Sequence, residues 1–155
     1  MNNLYYIKQT KYGRGVFATR NIKIGEKIFT MDGNRISKEN LHLISKSGRS
    51  SLVDPLQVSE NKFINMIEPY VLVNHSCNPN AGIKNGNLLV AIKNIKKNEE
   101  ILYDYSSVWF EGFICKCGQP NCRKYIGDFS GLPKKNQRRY IKLGIVPNFI
   151  KKRIK

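Results

Sequence analysis

The chain has 155 residues, enough for one domain with a substantial core. It is 41% hydrophobic and 25% charged, and it contains no run of about 18 apolar residues, so its sequence predicts no membrane-spanning helix. The formal net charge is +16, and the first residues lack the pattern of a signal peptide; we therefore expect a reducing cytoplasmic location, with nuclear import or signal-independent export left open.

Short strands dominate the predicted elements. The β-compatible runs share apolar, aromatic or β-branched residues and are divided by Gly, Asn and Pro. Strands are predicted at residues 16–19, 27–31, 63–67, 70–73 and 101–105. Gly86 and Asn87 predict a hairpin turn that leads into another strand ending near Ile92.

Two short helices are predicted as well. Ser37 is a suitable N-cap because the apolar Leu41, Leu43 and Ile44 follow within two turns, and Gly48 is the predicted end of this helix. The rest of the chain as far as the cysteines is predicted to be mostly β.

The second helix is predicted in the basic C-terminal segment. Tyr140, Ile141 and Leu143 are expected on one face, with Gly144 and Pro147 ending the helix. Residues 131–155 contain nine Lys or Arg and no acidic residue. Two interpretations stay open: a solvated charged surface, or attraction to a polyanion such as nucleic acid or to an acidic protein face.

The four cysteines predict a metal site. Cys115, Cys117 and Cys122 form a C-x-C-x4-C pattern whose Gly and Pro residues favour a tight turn, as tetrahedral zinc sites require. Cys77 is the remaining cysteine and completes a four-thiolate set. Disulfides are the alternative, but a reducing compartment and the single residue between Cys115 and Cys117 disfavour them.

Four segments of the chain carry recognisable motifs. Residues 74–80 read NHSCNPN, residues 99–105 read EEILYDY, residues 12–18 read YGRGVFA, and residues 122–128, which follow the other cysteines, read CRKYIGD. Together they resemble SET-domain lysine methyltransferases with a post-SET zinc segment. The first two segments are similar to signature motifs of that family, the third to its Gly-x-Gly opening motif, and the cysteines with residues 122–128 to its post-SET segment. The resemblance implies small curved β-sheets around a knot-like crossing, with short helices and a zinc-bound C-terminal segment.

The resemblance also implies domain limits. It places a SET domain at residues 4–112, a post-SET zinc segment at 113–128 and a basic tail at 129–155. The sequence departs from the family pattern at Val71, where many relatives carry Arg. It also departs at residues 52–55, where many relatives carry aromatic residues that line the lysine channel.

The implied activity is transfer of a methyl group from S-adenosylmethionine to a lysine of a histone or another basic protein. Tyr105 matches the principal catalytic tyrosine, and Tyr103 is expected to line the same channel and to favour mono-methylation. Asp104, between them, is expected to point away and to be structural. The alternative is a catalytically degenerate, zinc-stabilised module that binds nucleic acid or protein. The oligomeric state is left open.

A set of residues is implied to hold S-adenosylmethionine through glycine backbone, a polar motif and a zinc-bound lid. Zinc would be structural, because four cysteines leave no open ligand position. The implied cofactor-binding residues are Tyr12, Gly13, Arg14, Gly15, Asn74, His75, Tyr105, Phe113 and Ile126.

Overall fold

Glycine-punctuated hairpins and short β-branched runs build the fold in the computed structural model, which describes residues 3–46, 54–108 and 112–154. Ten strands form four small antiparallel sheets, and three α-helices and three short 3₁₀ helices accompany them in the described chain. The predicted fold class, mostly β with short helices and small sheets, is confirmed. Within the described parts, no helix combines the length and apolar character that crossing a bilayer demands.

The N-terminal half supplies two of the sheets. Strands β1 (Tyr5–Thr10) and β2 (Gly13–Ala18) form a hairpin. The second sheet pairs β6 (Lys62–Met66) with both β4 (Gly33–Ser37) and β5 (Pro55–Gln57).

Helix α1 (Lys38–Lys46) follows β4 directly, and the Ser37 hydroxyl accepts a hydrogen bond from the Asn40 N–H at 3.2 Å. The predicted N-cap is therefore confirmed. Gly48, the predicted end of this helix, lies outside the described residues, as do Leu52 and Val53 of the departure noted above.

A three-stranded sheet lies at the centre of the molecule. Strand β8 (Leu88–Ala91) pairs with β3 (Lys27–Thr30) on one side and with β7 (Ala81–Lys84) on the other. The turn between β7 and β8 places Asn85 and Gly86 at φ values of 51° and 90°, which confirms the predicted hairpin. Strand β7 itself was not predicted.

Both faces of this central sheet are buried. Leu89 and Ala91 of β8 pack into the main core, whereas Leu88 and Val90 face a second apolar cluster. That second cluster is built largely from the C-terminal segment, with α2 (Lys134–Lys142) and α3 (Asn148–Lys151). A Cβ on Gly82 would lie 2.7 Å from the Ile145 side chain, so the segment packs directly on the sheet.

The predicted tail helix is present, and Gly144 ends it at a φ of 69°. Tyr140 is 1% exposed and Leu143 packs against the second cluster, but Ile141 is 40% exposed and lies off their shared face. The prediction of one face for all three was wrong at Ile141, because one residue along a helix rotates the side chain by about 100°.

Two predicted strands were wrong. Residues 70–73 form a 3₁₀ turn, Tyr70–Leu72, because the N–H groups of Tyr70 and Leu72 bond to Ile67 and Pro69 rather than to a neighbouring strand. Residues 101–105 form no ladder. Their hydrogen bonds go to separate segments: Ile101 donates to Val16, and Tyr103 donates to Asn74. This stretch therefore passes among several segments and ends in a second 3₁₀ turn, Tyr105–Ser107.

Strands β9 (Phe113–Ile114) and β10 (Tyr125–Ile126) pair with each other and carry the cysteine loop between them. The cysteine loop reaches back to the NHSC segment, where the Asn121 side-chain amide donates to the Cys77 carbonyl at 3.0 Å, as the zinc prediction requires. A third 3₁₀ turn, Phe129–Gly131, leads from β10 towards α2.

Candidate functional site

An open pocket of about 240 Å³ lies where the cysteine loop meets the NHSC and YDY segments. Aromatic rings form much of its wall: the Tyr105 and Phe113 centroids are 5.8 Å apart, and the His75 ring lies edge-on to both. Its lining residues are Tyr12, Asn74, His75, Tyr105, Phe113, Ile114, Cys115, Lys116 and Cys117.

Asn74 ties three of the sequence motifs together. Its side-chain amide donates to the Arg14 carbonyl at 3.1 Å and to Glu100 Oε1 at 2.8 Å. A Cβ on Gly15 would lie 2.4 Å from that Glu100 oxygen, so a side chain at this position would have to displace the Glu100 carboxylate. Gly13 is needed for another reason, since its φ of 112° is outside the range that L side chains readily adopt.

His75 is neutral, and its hydrogen bonds determine which ring nitrogen carries the proton. Burial lowers the pKa of His75 to about 4, more than the nearby Asp104 carboxylate raises it. Its Nδ1 accepts the Tyr105 backbone N–H at 3.2 Å, so in the neutral ring the proton resides on Nε2. Nε2 is 3.4 Å from the Cys77 sulfur and therefore donates to it.

The rings of Tyr103 and Tyr105 are in contact, with centroids 4.7 Å apart and planes tilted by 43°. Tyr105 faces the pocket, and its hydroxyl donates to the Val73 carbonyl at 2.9 Å. Tyr103 is almost fully buried in the main core. Burial raises the pKa of both phenols, and the negative charge of Asp54 adds to the effect, so both stay protonated at neutral pH.

Asp104 is buried at the centre of a charge network, as expected of a structural residue between the tyrosines. Its carboxylate receives two hydrogen bonds from the Arg123 guanidinium, each 2.7 Å long. The Tyr140 hydroxyl donates to it at 2.9 Å, and so does the Ser106 N–H at 3.1 Å. The network joins the YDY segment to the cysteine loop and to α2.

The cysteines converge beside the pocket. The ligand atoms of His75, Cys77, Cys115 and Cys117 lie within 4.8 Å of one another. Cys122 packs against the same buried group, and its sulfur is 3.7 Å from the Cys115 carbonyl. These sulfur donors fit a tetrahedral zinc ion.

The tautomer of His75 bears on the identity of the fourth ligand. A protonated Nε2 has no lone pair for a metal, so the ring acts as a donor to the sulfur of Cys77, which also receives the Arg123 N–H at 3.4 Å. This favours Cys122 as the fourth ligand, and the four-cysteine set stays a prediction.

The thiol pKa values diverge within the cluster. Burial raises the pKa of the Cys115 thiol. Burial also raises the pKa of Cys117, but backbone and thiol hydrogen bonds to its sulfur outweigh this and bring the value to about 7. Cys117 therefore ionises most readily of the two, which suits a metal that binds thiolates.

The structure places the predicted site residues unevenly around the pocket. Tyr12, Asn74, His75, Tyr105 and Phe113 are on its wall. The predicted metal ligands Cys115 and Cys117 are on it as well. The other predicted cofactor-binding residues, Gly13, Arg14, Gly15 and Ile126, are not among the residues that line this pocket.

Arg14 is half-exposed and forms an ion pair with Glu68 instead of facing the pocket. Ile126 is fully buried against Cys77 and Cys115, so it supports the cysteine loop from beneath rather than covering the pocket. Gly13 and Gly15 act through the backbone geometry described above. Arg14 and Ile126 therefore do not line the pocket, and their predicted role in cofactor binding stays a prediction.

Three further residues escaped the sequence reasoning. Glu100 holds the amide of Asn74, Arg123 neutralises Asp104, and Asp54 acts electrostatically on both phenols. Glu100 and Arg123 are within the quoted motifs, and a search for partners of the buried Asn and Asp could have singled them out. Asp54 offers no such signal, because its approach depends on the folding of β5 against β6.

Comparison with known proteins gives consistent matches. A family model described as SET domain matches residues 13–106, more than half of the chain. A variant-silencing SET domain-containing protein of Plasmodium falciparum is 30% identical over 138 residues, covering 77% of this chain and 5% of that protein. The histone-lysine N-methyltransferase ASHH3 of Arabidopsis thaliana is 28% identical over 143 residues, covering 83% of this chain and 39% of that protein.

A solved structure gives a similar fold. It is described as ctPRC2 in an autoinhibited conformation bound to S-adenosylmethionine, and it matches with a TM-score of 0.58 and 19% identity. The match covers 70% of this chain and 16% of that one. The chain thus spans well under half the length of these similar proteins.

Proposed function

The chain belongs to the SET-domain family, and on this basis we propose that it methylates a lysine side chain of a protein substrate, using S-adenosylmethionine. Similar proteins named as histone-lysine N-methyltransferases support the proposal. The observation that carries it is the position of Tyr105, whose ring forms part of the pocket wall beside the NHSC segment. A basic protein such as a histone is the proposed substrate class.

The pocket suits the adenosyl group of the proposed cofactor. Phe113 and Tyr105 supply aromatic surface to the pocket wall. Gly13, next to Tyr12 of that wall, has open space where a Cβ would lie, so a ligand can approach its backbone. S-adenosylmethionine, when bound, supplies an electrophilic methyl group on a sulfonium ion. The amine of the target lysine forms the new N–C bond, and the electron pair of the broken C–S bond stays on sulfur.

Tyr105 has the geometry to orient the attacking amine. Its hydroxyl proton is committed to the Val73 carbonyl at 2.9 Å, which leaves the oxygen lone pairs to accept an N–H from the amine. Because the pKa of Tyr105 is raised by burial, the phenol stays neutral while the lysine loses its proton. Orientation of this kind can contribute several kcal/mol to the rate.

Zinc has a structural role in this proposal. The cysteine loop carries Phe113, Cys115 and Cys117 on the pocket wall, so a metal that fixes the loop also fixes the pocket. We accordingly assign residues 113–128 as the zinc segment, following the SET domain at 4–112. In this assignment zinc takes no direct part in the methyl transfer.

The test is incubation with methyl-labelled S-adenosylmethionine and a panel of basic proteins, including core histones, followed by mass spectrometry of labelled lysines. Tyr105→Phe should lose about 100-fold or more in turnover while cofactor binding, measured by calorimetry, changes little. Tyr125→Phe is the matched control, because the Tyr125 side chain is 60% exposed. Full activity of Tyr105→Phe would refute its role, and absence of cofactor binding by the unaltered protein would favour the degenerate binding module instead.

For the product we propose mainly mono-methyl-lysine. Tyr103 lies directly against Tyr105, and a hydroxyl there can hold a water molecule in space that further methyl groups would need. Tyr103→Phe should therefore raise the methylation state without abolishing turnover. Abundant trimethyl-lysine from the unaltered protein would contradict this proposal.

A further inference from the structure

We propose that the exposed face of α2 is a docking surface for the phosphate backbone of nucleic acid. This α2 basic face is formed by Lys134, Lys135, Arg138, Arg139 and Lys142, all of them exposed. The proposal is independent of methyl transfer, since it depends only on the charge and position of this helix.

The helix separates its charges from its buried side chains. At about 100° per residue, the five basic residues fall within an arc of about 140°. Gln137 and Tyr140, both buried, project outside that arc. Uncharged polar residues would be enough for a helix face that only contacts water. Every exposed position within this arc instead carries a positive charge.

The face is held rigidly. The Tyr140 hydroxyl donates to the buried Asp104 carboxylate at 2.9 Å, and the Gln137 side-chain amide donates to the carbonyls of Ser130 and Leu132 at 3.0 and 2.8 Å. A ligand that binds α2 therefore meets a fixed array of charges. It does not have to order a flexible tail, which would reduce the affinity.

The charges of the α2 basic face are not neutralised by the protein. Among the described residues, none of the five forms an ion pair with an acidic side chain, whereas Arg153 of the same segment approaches Glu60 at 3.8 Å. Lys93 adds a further charge beside the face: burial lowers its pKa, the nearby Arg139 lowers it further, and Glu99 offsets only part of this. Repulsion between these like charges is relieved when a polyanion binds.

The arrangement of the charges favours a nucleic acid over an acidic protein surface. Lys134, Arg138 and Lys142 form one row along α2, and Lys135 with Arg139 forms a second, with about 6 Å of rise between successive members. The longer row spans about 12 Å, over which a DNA duplex presents about seven phosphates. Successive cations in each row turn by only about 40°, so the double row presents a regular array that matches a regular, linear polyanion.

The location also relates the surface to the proposed active site. The inner side of α2 contacts Asp104, the residue between Tyr103 and Tyr105. A nucleic acid on the outer side would lie about one helix diameter, roughly 10 Å, from that network. A protein substrate bound to the same nucleic acid would therefore be held near the site.

The test is fluorescence anisotropy of a labelled 20-base-pair DNA duplex with the full chain across a series of KCl concentrations. One variant changes Lys135, Arg138, Arg139 and Lys142 to Gln. The control variant changes Lys23, Lys27, Lys46 and Lys62 to Gln, exposed residues elsewhere that give the same net charge. Substitutions are preferred to truncation, because residues 129–154 form much of the second core.

The unaltered chain and the control should bind DNA with similar, steep salt dependence. The α2 variant should show a slope of log K against log[KCl] that is shallower by about 3.6, or 0.9 for each of four lost contacts. Equal salt slopes for the two variants, with thermal unfolding showing both folded, would overturn the proposal. Competition by polyglutamate as effective as by unlabelled DNA would also overturn it, in favour of an acidic protein partner.

Discussion

Replacing Tyr140 by Phe tests whether the C-terminal helix is anchored by the buried charge network. The Tyr140 side chain is 1% exposed, and its hydroxyl donates to Asp104 at 2.9 Å. Phe keeps the ring and its packing, so the substitution removes one hydrogen bond without opening a large cavity. Asp104 keeps both hydrogen bonds from Arg123, so its charge stays neutralised.

The expected loss follows from the nature of that hydrogen bond. A hydrogen bond to a charged group contributes about 1.5–3 kcal/mol to stability. For a domain of this length, each kcal/mol lowers the melting temperature by about 2–4 °C, which gives a fall of about 3–12 °C. The free energy of unfolding should be measured by urea titration followed by circular dichroism, with an unchanged m-value.

Tyr125→Phe is the control, since an exposed hydroxyl should contribute within about 0.5 kcal/mol. If Tyr140→Phe matches this control, the hydrogen bond to Asp104 does not anchor α2. The free energy of unfolding of Tyr140→Phe should be lower than that of Tyr125→Phe by at least about 1 kcal/mol.

Three other perturbations examine the pocket. Cys115→Ser, or removal of zinc by a chelator, should lower the melting temperature and weaken cofactor binding together; metal analysis that finds no zinc in the purified protein would contradict the zinc assignment. Gly15→Ala should displace Glu100 from Asn74 and weaken cofactor binding by about fivefold, which corresponds to the loss of one hydrogen bond. Gly131→Ala should leave binding unchanged in the same calorimetric titration and is the control. Asp54→Asn should raise KM for the protein substrate more than it changes kcat, because a negative charge near both phenols attracts the incoming lysine; an unchanged KM would remove Asp54 from the site.

The sequence predicted correctly those features that depend on residues close together in the chain. The turn at Gly86 requires positive φ, and the N-cap at Ser37 bonds three residues ahead, so both follow from short segments. Residues 101–105 are rich in the apolar and aromatic residues that strands favour, yet their hydrogen-bond partners lie far apart along the chain. No local pattern distinguishes that case from a true ladder.

The site divides in a similar way. Cys77, His75 and Tyr105 were found because they belong to contiguous motifs. The contact of Tyr140 with Asp104 joins residues 36 positions apart and crosses from the SET match into a segment that the resemblance does not cover. A basic sequence alone indicated a charged tail, whereas its buried Tyr140 and Ile145 make it part of the folded core.

The central sheet, buried on both faces, has a consequence for the biosynthesis of the protein. Ribosomes make the chain from its N-terminus, so β7 and β8 are complete before residues 129–154 exist. Until that segment is synthesised, Leu88 and Val90 present an uncovered apolar surface on one face of the sheet. A nascent chain in this state is a target for chaperones and is prone to self-association, and its maturation is completed by the most positively charged part of the polypeptide.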